Sequence, residues 1–142
     1  MTKQLPSLTA VLAAFALTAC SSIIDGGDSM VKTGETEAGT ALVDARGYTL
    51  YTLDIDVPNE ALCMGYCALW WTPLMAAEDA KPSGPFSLIT RASGEWRGEL
   101  QWAHNGKALY RYTLDIEPGD ADGVWPDWVN PNWLTGAHVA TP

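Results

Sequence analysis

Histidine is scarce in this 142-residue chain, which has two, and basic residues are few: eight Lys+Arg stand against 17 Asp+Glu, a formal charge of −9. A surface of that sign repels phosphate backbones and anionic headgroups, which excludes nucleic acid as a partner and leaves no polybasic patch for a membrane. Catalytic signatures are missing too. There is no Gly-x-Ser-x-Gly, no phosphate-cradling glycine loop and no His-Glu-x-x-His, so the expectation is a non-enzyme. The mostly apolar stretch at residues 5–17 is too short to span a bilayer as a helix. What the chain does have is apolar material, 47% of its residues, enough for one core and one domain.

The N-terminus has the layout of an export signal. Lys3 supplies a positive start, residues 5–17 the apolar region, and Leu17-Thr18-Ala19-Cys20 follows at once. That tetrad resembles the lipobox of bacterial lipoproteins, with small residues at 18 and 19 for a peptidase cleft and the Cys20 thiol as the nucleophile that takes up diacylglycerol. The resemblance implies a signal peptide at 1–19, a lipid on Cys20 and membrane attachment in the cell envelope. With Ser21 after the cysteine, it implies the outer membrane if the organism is Gram-negative. Cleavage removes Lys3 and no acid, leaving seven Lys+Arg against 17 Asp+Glu, a charge of −10. Residues 20–40 are rich in Ser, Gly, Asp, Glu and Thr and predict a flexible tether.

Residues 41–142 alternate short apolar runs with turn residues. Runs at 41–43, 48–53, 86–91, 96–103 and 108–114 have the β-branched and aromatic character of strands. Asn105-Gly106 is the strongest turn, since both central positions of a type I′ turn need positive φ. Asn59, with Pro58 before it and Pro73 beyond, predicts one helix from residue 60 to about 70, carrying Cys63 and Cys67. The expected fold is mainly β: a small antiparallel domain with one short helix.

That domain contains a repeat. Gly47-x-x-Leu50-Tyr51-x-Leu53-x-x-Asp56 and Gly106-x-x-Leu109-Tyr110-x-Tyr112-x-x-Asp115 superpose without a gap at a spacing of 59 residues, predicting two similar hairpins. Here the chain resembles the bacterial family of predicted lipoproteins and secreted repeats with a Tyr-x-(Phe/Trp/Tyr)-x-x-Asp motif. Tyr110, Tyr112 and Asp115 match it; Tyr51 and Asp56 do so with Leu53 at the aromatic position. Cys63-x-x-x-Cys67-Ala68, Trp71-Thr72-Pro73-Leu74, Gln101-Trp102 and Pro118-Gly119-Asp120 extend the resemblance. It implies fold and location, and no established role. On a strand, Tyr51 and Leu53 share a face, as do Tyr110 and Tyr112, and Asp56 and Asp115 fall where a carboxylate can accept backbone N–H bonds.

With Cys20 committed to lipid, Cys63 and Cys67 form a pair in an oxidising compartment, where a disulfide is the default. Redox or copper handling is the alternative, with Cys63, Cys67, Met64 and His104 or His138 as a soft ligand set. The acidic run from Asp115 fails as an EF-hand, because Pro118 and Val129 stand where acids are needed, which leaves Asp120 and Asp122 as calcium ligands of another loop type. Neither metal is expected as a resident cofactor. Of seven tryptophans, Trp125, Trp128 and Trp133 lie among prolines, amides and an acid and form either a flap over the core or a glycan-stacking surface. The function expected is a non-catalytic binding or structural module of the envelope with a protein or glycan partner.

Overall fold

Ten short strands make up the computed structural model, which describes residues 30–124 and 136–142. The expected signal peptide, Cys20 and the tryptophans at 125, 128 and 133 lie outside those residues. Strands β1 (Val31–Thr36) and β2 (Gly39–Asp44) form an antiparallel hairpin with Thr36 opposite Gly39. Thr36 closes the turn: its Oγ1 accepts from Ala38 N at 3.2 Å and donates to Gly39 O at 2.8 Å, and Gly39 takes a φ of 93°. This corrects the tether expected through residue 40. The composition is polar because β1 exposes most of its side chains. It is held by its ladder, by buried Val31, and by Gly34, where an added Cβ would stand 2.8 Å from Val43 Cγ2.

Strands β3 (Tyr51–Leu53) and β9 (Tyr110–Tyr112) carry the two motif copies and lie antiparallel, with Tyr51 opposite Tyr110. Their outer neighbours are exchanged. Strand β4 (Trp71–Pro73) follows the first copy but pairs with β9, while β10 (Ala137–Val139) follows the second and pairs with β3, giving the order β10-β3-β9-β4. In a second sheet, β7 (Leu100–His104) pairs with β6 (Phe86–Thr90) on one side and with β5 (Met75–Ala76) and β8 (Lys107–Ala108) on the other. All pairings are antiparallel, and the fold class is mainly β. Asn105 and Gly106, at φ 49° and 77°, join β7 to β8 in the left-handed pair that a type I′ turn requires.

The strand expected over 96–103 is paired only from Leu100, because residues 95–98 form a turn, and the runs at 48–53 and 108–114 are shorter because each is diverted at one residue. Leu50 N donates to Leu42 O, Leu42 N to Ala140 O, and Ala140 N to Leu50 O, a closed triangle of backbone bonds of 2.7–2.9 Å. Leu109, Trp102 and Leu74 repeat it: Leu109 N donates to Trp102 O, Trp102 N to Leu74 O, and Leu74 N to Leu109 O, each at 2.9 Å. At Leu50 and Leu109 the chain therefore leaves one partner for another, and all backbone groups in the triangles stay paired although the ladder is broken. The six side chains of the two triangles, with Val31, make one buried cluster. The residue after each junction turns the other way, so Tyr51, Leu53, Tyr110 and Tyr112 join Trp71, Cys63, Ile89 and small residues in a second cluster.

The helix expected from residue 60 contracts to a single 3-10 turn, Cys67–Leu69. Asn59 and Gly65 have φ of 63° and 56°, values no α-helix accommodates, so Asn59 cannot act as the expected cap. Tertiary bonds hold the loop instead: Asn59 N donates to Gly106 O at 2.8 Å and Leu62 N to Asp56 Oδ1 at 2.7 Å. The short turn still carries the cysteine pair. Cys63 and Cys67 are joined by a disulfide with their Cα atoms 5.3 Å apart.

Candidate functional site

The motif side chains meet across the repeats rather than within them. Tyr51 of the first copy donates its hydroxyl to Asp115 Oδ2 of the second at 2.6 Å, with both residues buried. Two backbone groups complete the set: Asp122 N donates to Asp115 Oδ1 at 2.9 Å, and Gly123 N to Tyr51 Oη at 3.2 Å. Gly123 has to be glycine, because a Cβ there would lie 2.8 Å from the Tyr51 ring and 3.0 Å from Trp71. Burial pushes the Tyr51 hydroxyl up, and the Asp115 bond adds to this. Burial also pushes Asp115 above the usual carboxylate range, although the Tyr51 bond works against it.

The reciprocal pair is Tyr110 of the second copy and Asp56 of the first, and it is not closed. Asp56 Oδ1 takes the Leu62 N–H, but Asp56 Oδ2 and Tyr110 Oη are buried without a partner in hydrogen-bond geometry. Asp56, Arg91 and Gln101 stand near enough to the Tyr110 hydroxyl to act on its acidity, with burial the largest effect and upward. Arg91 is 1% exposed. Its Nη1 donates to Gln101 Oε1 and its Nη2 to the Cys63 carbonyl, while Nε has no partner; Gln101 Nε2 passes the connection to Leu109 O at 2.8 Å. Asp56 is raised by burial, with Leu62 N, the Tyr110 hydroxyl and, least of all, the Arg91 charge pulling it back.

Sequence reasoning named the two tyrosines and two aspartates but missed Arg91 and Gln101. The one signal was a single basic residue closing the apolar run at 86–91, which resembles an ordinary strand end.

Folded Asp56 and Asp115 hold their protons more tightly than they do in the unfolded chain. Their contribution to stability is therefore greatest below the unfolded carboxylate values and declines as pH rises through the folded ones. His104, pushed down by burial, acts in the opposite direction. Comparison with Asp115→Asn cancels that opposing effect, because the amide does not titrate and His104 is common to both. Melting temperatures measured from neutral to mildly acidic pH should show the wild type gaining on Asp115→Asn as pH falls. A pH-independent difference would contradict the buried carboxylate.

The metal candidates are not gathered. Among the described residues no group of three or more His, Cys, Asp or Glu is placed to hold an ion. The sulfurs of Cys63 and Cys67 are bonded to each other, so neither is a thiolate ligand. His104 lies on β7 against Phe86, with ring centroids 5.1 Å apart, and His138 lies on β10 with Nε2 3.0 Å from Asp54 Oδ1. Asp120 is a turn-former: Oδ2 accepts from Ile116 N at 3.0 Å and Glu117 N at 2.9 Å. Asp122 contributes its backbone N–H to Asp115. The copper and calcium sets considered from sequence are thus not assembled in this fold.

Outside the motif's polar groups, the same stretches turn apolar side chains to solvent. Ile55 and Val57 are 46% and 45% exposed, and Leu114 and Ile116, 59 residues later in the other copy, are 53% and 75% exposed. Of the described tryptophans, Trp71 and Trp102 are buried and Trp70 and Trp96 half-buried.

A family model described as a secreted repeat of unknown function matches the sequence twice, over residues 32–75 and 88–127. Its first match begins within β1, so the strand assigned from sequence to the tether is part of the repeat. No curated protein and no solved structure matches the chain.

Proposed function

Because the chain belongs to this family of secreted repeats of unknown function, we propose that it is an envelope lipoprotein, anchored through Cys20, whose repeat domain is a non-catalytic binding module. The observation that carries the binding role is the division of labour within each motif. Its polar groups face inward and bond across the repeats, while the intervening positions 55, 57, 114 and 116 expose large apolar side chains. A catalytic role would leave the motif acids reachable by substrate, whereas Asp115 is buried and taken up by Tyr51 and Asp122 N. Apolar side chains repeated at equivalent exposed positions fit contact with an envelope protein or the non-polar faces of a glycan. Lipid attachment is supported by Leu17-Thr18-Ala19-Cys20, and the acidic charge of the mature chain leaves lipid as its means of holding a membrane.

Two measurements test the reading. Cys20→Ala should abolish metabolic lipid labelling and release a soluble form wherever processing still occurs; labelling that persists would sink the anchor. For the binding role, a photo-crosslinker placed at position 114 or 116 in the anchored protein should capture an envelope component. One placed at exposed Glu78 should not, and equal capture from both positions would remove the apolar tips as the contact.

A further inference from the structure

We propose that Tyr51 and Asp115 end a one-electron oxidation path through the core, in which Tyr51 gives its electron to the Trp71 indole and its proton to Asp115. Three rings are in series: Tyr51 and Trp71 have centroids 5.3 Å apart, edge to face, and Trp71 and Tyr112 are 5.0 Å apart. Trp70, half-buried and adjacent in the chain, packs against the same cluster and brings the path toward solvent. At the inner end, the phenol already donates to a carboxylate at 2.6 Å. Oxidation makes a phenol far more acidic, so loss of the electron and loss of the proton along that bond proceed together. A proton acceptor within hydrogen-bond reach is the geometric requirement, and an acid already pushed upward by burial is a good one.

The step balances for an oxygen-centred radical of the peroxyl class. The radical takes one electron from an indole and one proton from water and becomes a hydroperoxide. The indole radical cation recovers its electron from Tyr51. The phenolic O–H bond breaks, its proton joins Asp115, and a neutral tyrosyl radical remains in the core.

Tyr110 and Tyr48 lack this arrangement. Tyr110 has Asp56 near it but not in direct hydrogen-bond geometry, and the Arg91 cation nearby opposes loss of an electron. Tyr48 has the Arg46 and Arg111 guanidinium carbons 4.9 and 5.2 Å from its ring centre, and its hydroxyl donates to a backbone carbonyl, a poor base. The repeats differ here as well, since Leu53 occupies the position equivalent to Tyr112.

Pulse radiolysis of the folded, full-length protein with the azide radical, which oxidises tryptophan, tests this. The indolyl signal should convert to a tyrosyl signal at a rate independent of protein concentration. Tyr51→Phe should lose that conversion, Asp115→Asn should slow it while the indolyl signal persists, and Tyr110→Phe should keep it. Melting curves establish that each variant is folded. If Tyr51→Phe converts as the wild type does, the path does not end at Tyr51. Should that variant fail to fold, an unchanged rate in Asp115→Asn would equally overturn the proposal.

Discussion

Tyr110→Ala should destabilise the domain by about 3–5 kcal/mol, the loss expected when a buried aromatic side chain leaves a cavity. Tyr110 lies opposite Tyr51 where the two repeats meet and is fully buried in the aromatic cluster, so no neighbour can move in without breaking the β3–β9 pairing. The milder substitutions separate the two halves of the crossed motif. Tyr110→Phe removes a hydroxyl whose approaches to Asp56, Arg91 and Gln101 fall short of hydrogen-bond geometry and should change stability by no more than about 1 kcal/mol, whereas Tyr51→Phe strips Asp115 Oδ2 of its donor and should cost about 1–3 kcal/mol. Denaturant melts of the three variants give the order. Equal costs for the two phenylalanine variants would mean that the crossed pairs are equivalent, contrary to their geometry.

Arg91→Met should cost about 3–5 kcal/mol, because it breaks a buried charged network by removing one member. Arg91 bridges the Gln101 side chain and the Cys63 carbonyl, and its charge offsets that of Asp56. Methionine fills much of the volume, so the loss is chiefly that of two buried acceptors left without donors, with the smaller pull of the Arg91 charge on Asp56 lost as well. Arg91→Lys should recover only part of it, since an ammonium lacks the fork that reaches two acceptors at once. If Asp56 is the charge left exposed, adding Asp56→Asn to Arg91→Met should restore some stability, a coupling that a double-mutant cycle measures. Strict additivity would remove Asp56 from the network.

Short apolar runs of β-branched and aromatic residues, cut by turn chemistry, made the fold class legible. The Asn105-Gly106 turn and the run at 86–91 depend on neighbours in the chain, and they fold as their local chemistry demands. Where the outcome depends on distant residues, legibility ends. Residues 60–70 have helical flanks, but Leu62 N and Asn59 N bond to Asp56 and Gly106, and these contacts outweigh a short helix with Gly65 in its middle. Residues 31–36 have a spacer's composition, yet a six-pair ladder with β2 holds them in place.

The sequence by itself determined a mainly antiparallel β chain, two copies of one motif, and a cysteine pair close enough in the chain to bond. Each of these follows from residue type and short spacing. Only the tertiary structure decided that the copies are interleaved. It places β4 on the second motif strand and β10 on the first, bonds Tyr51 to an aspartate 64 positions away, and buries Arg91 behind the disulfide loop. The physical reason is that a motif acid looks the same in sequence whether it caps its own turn or accepts a phenol from the other repeat. The choice belongs to burial, since a carboxylate removed from water takes whichever donors the packed core brings within reach.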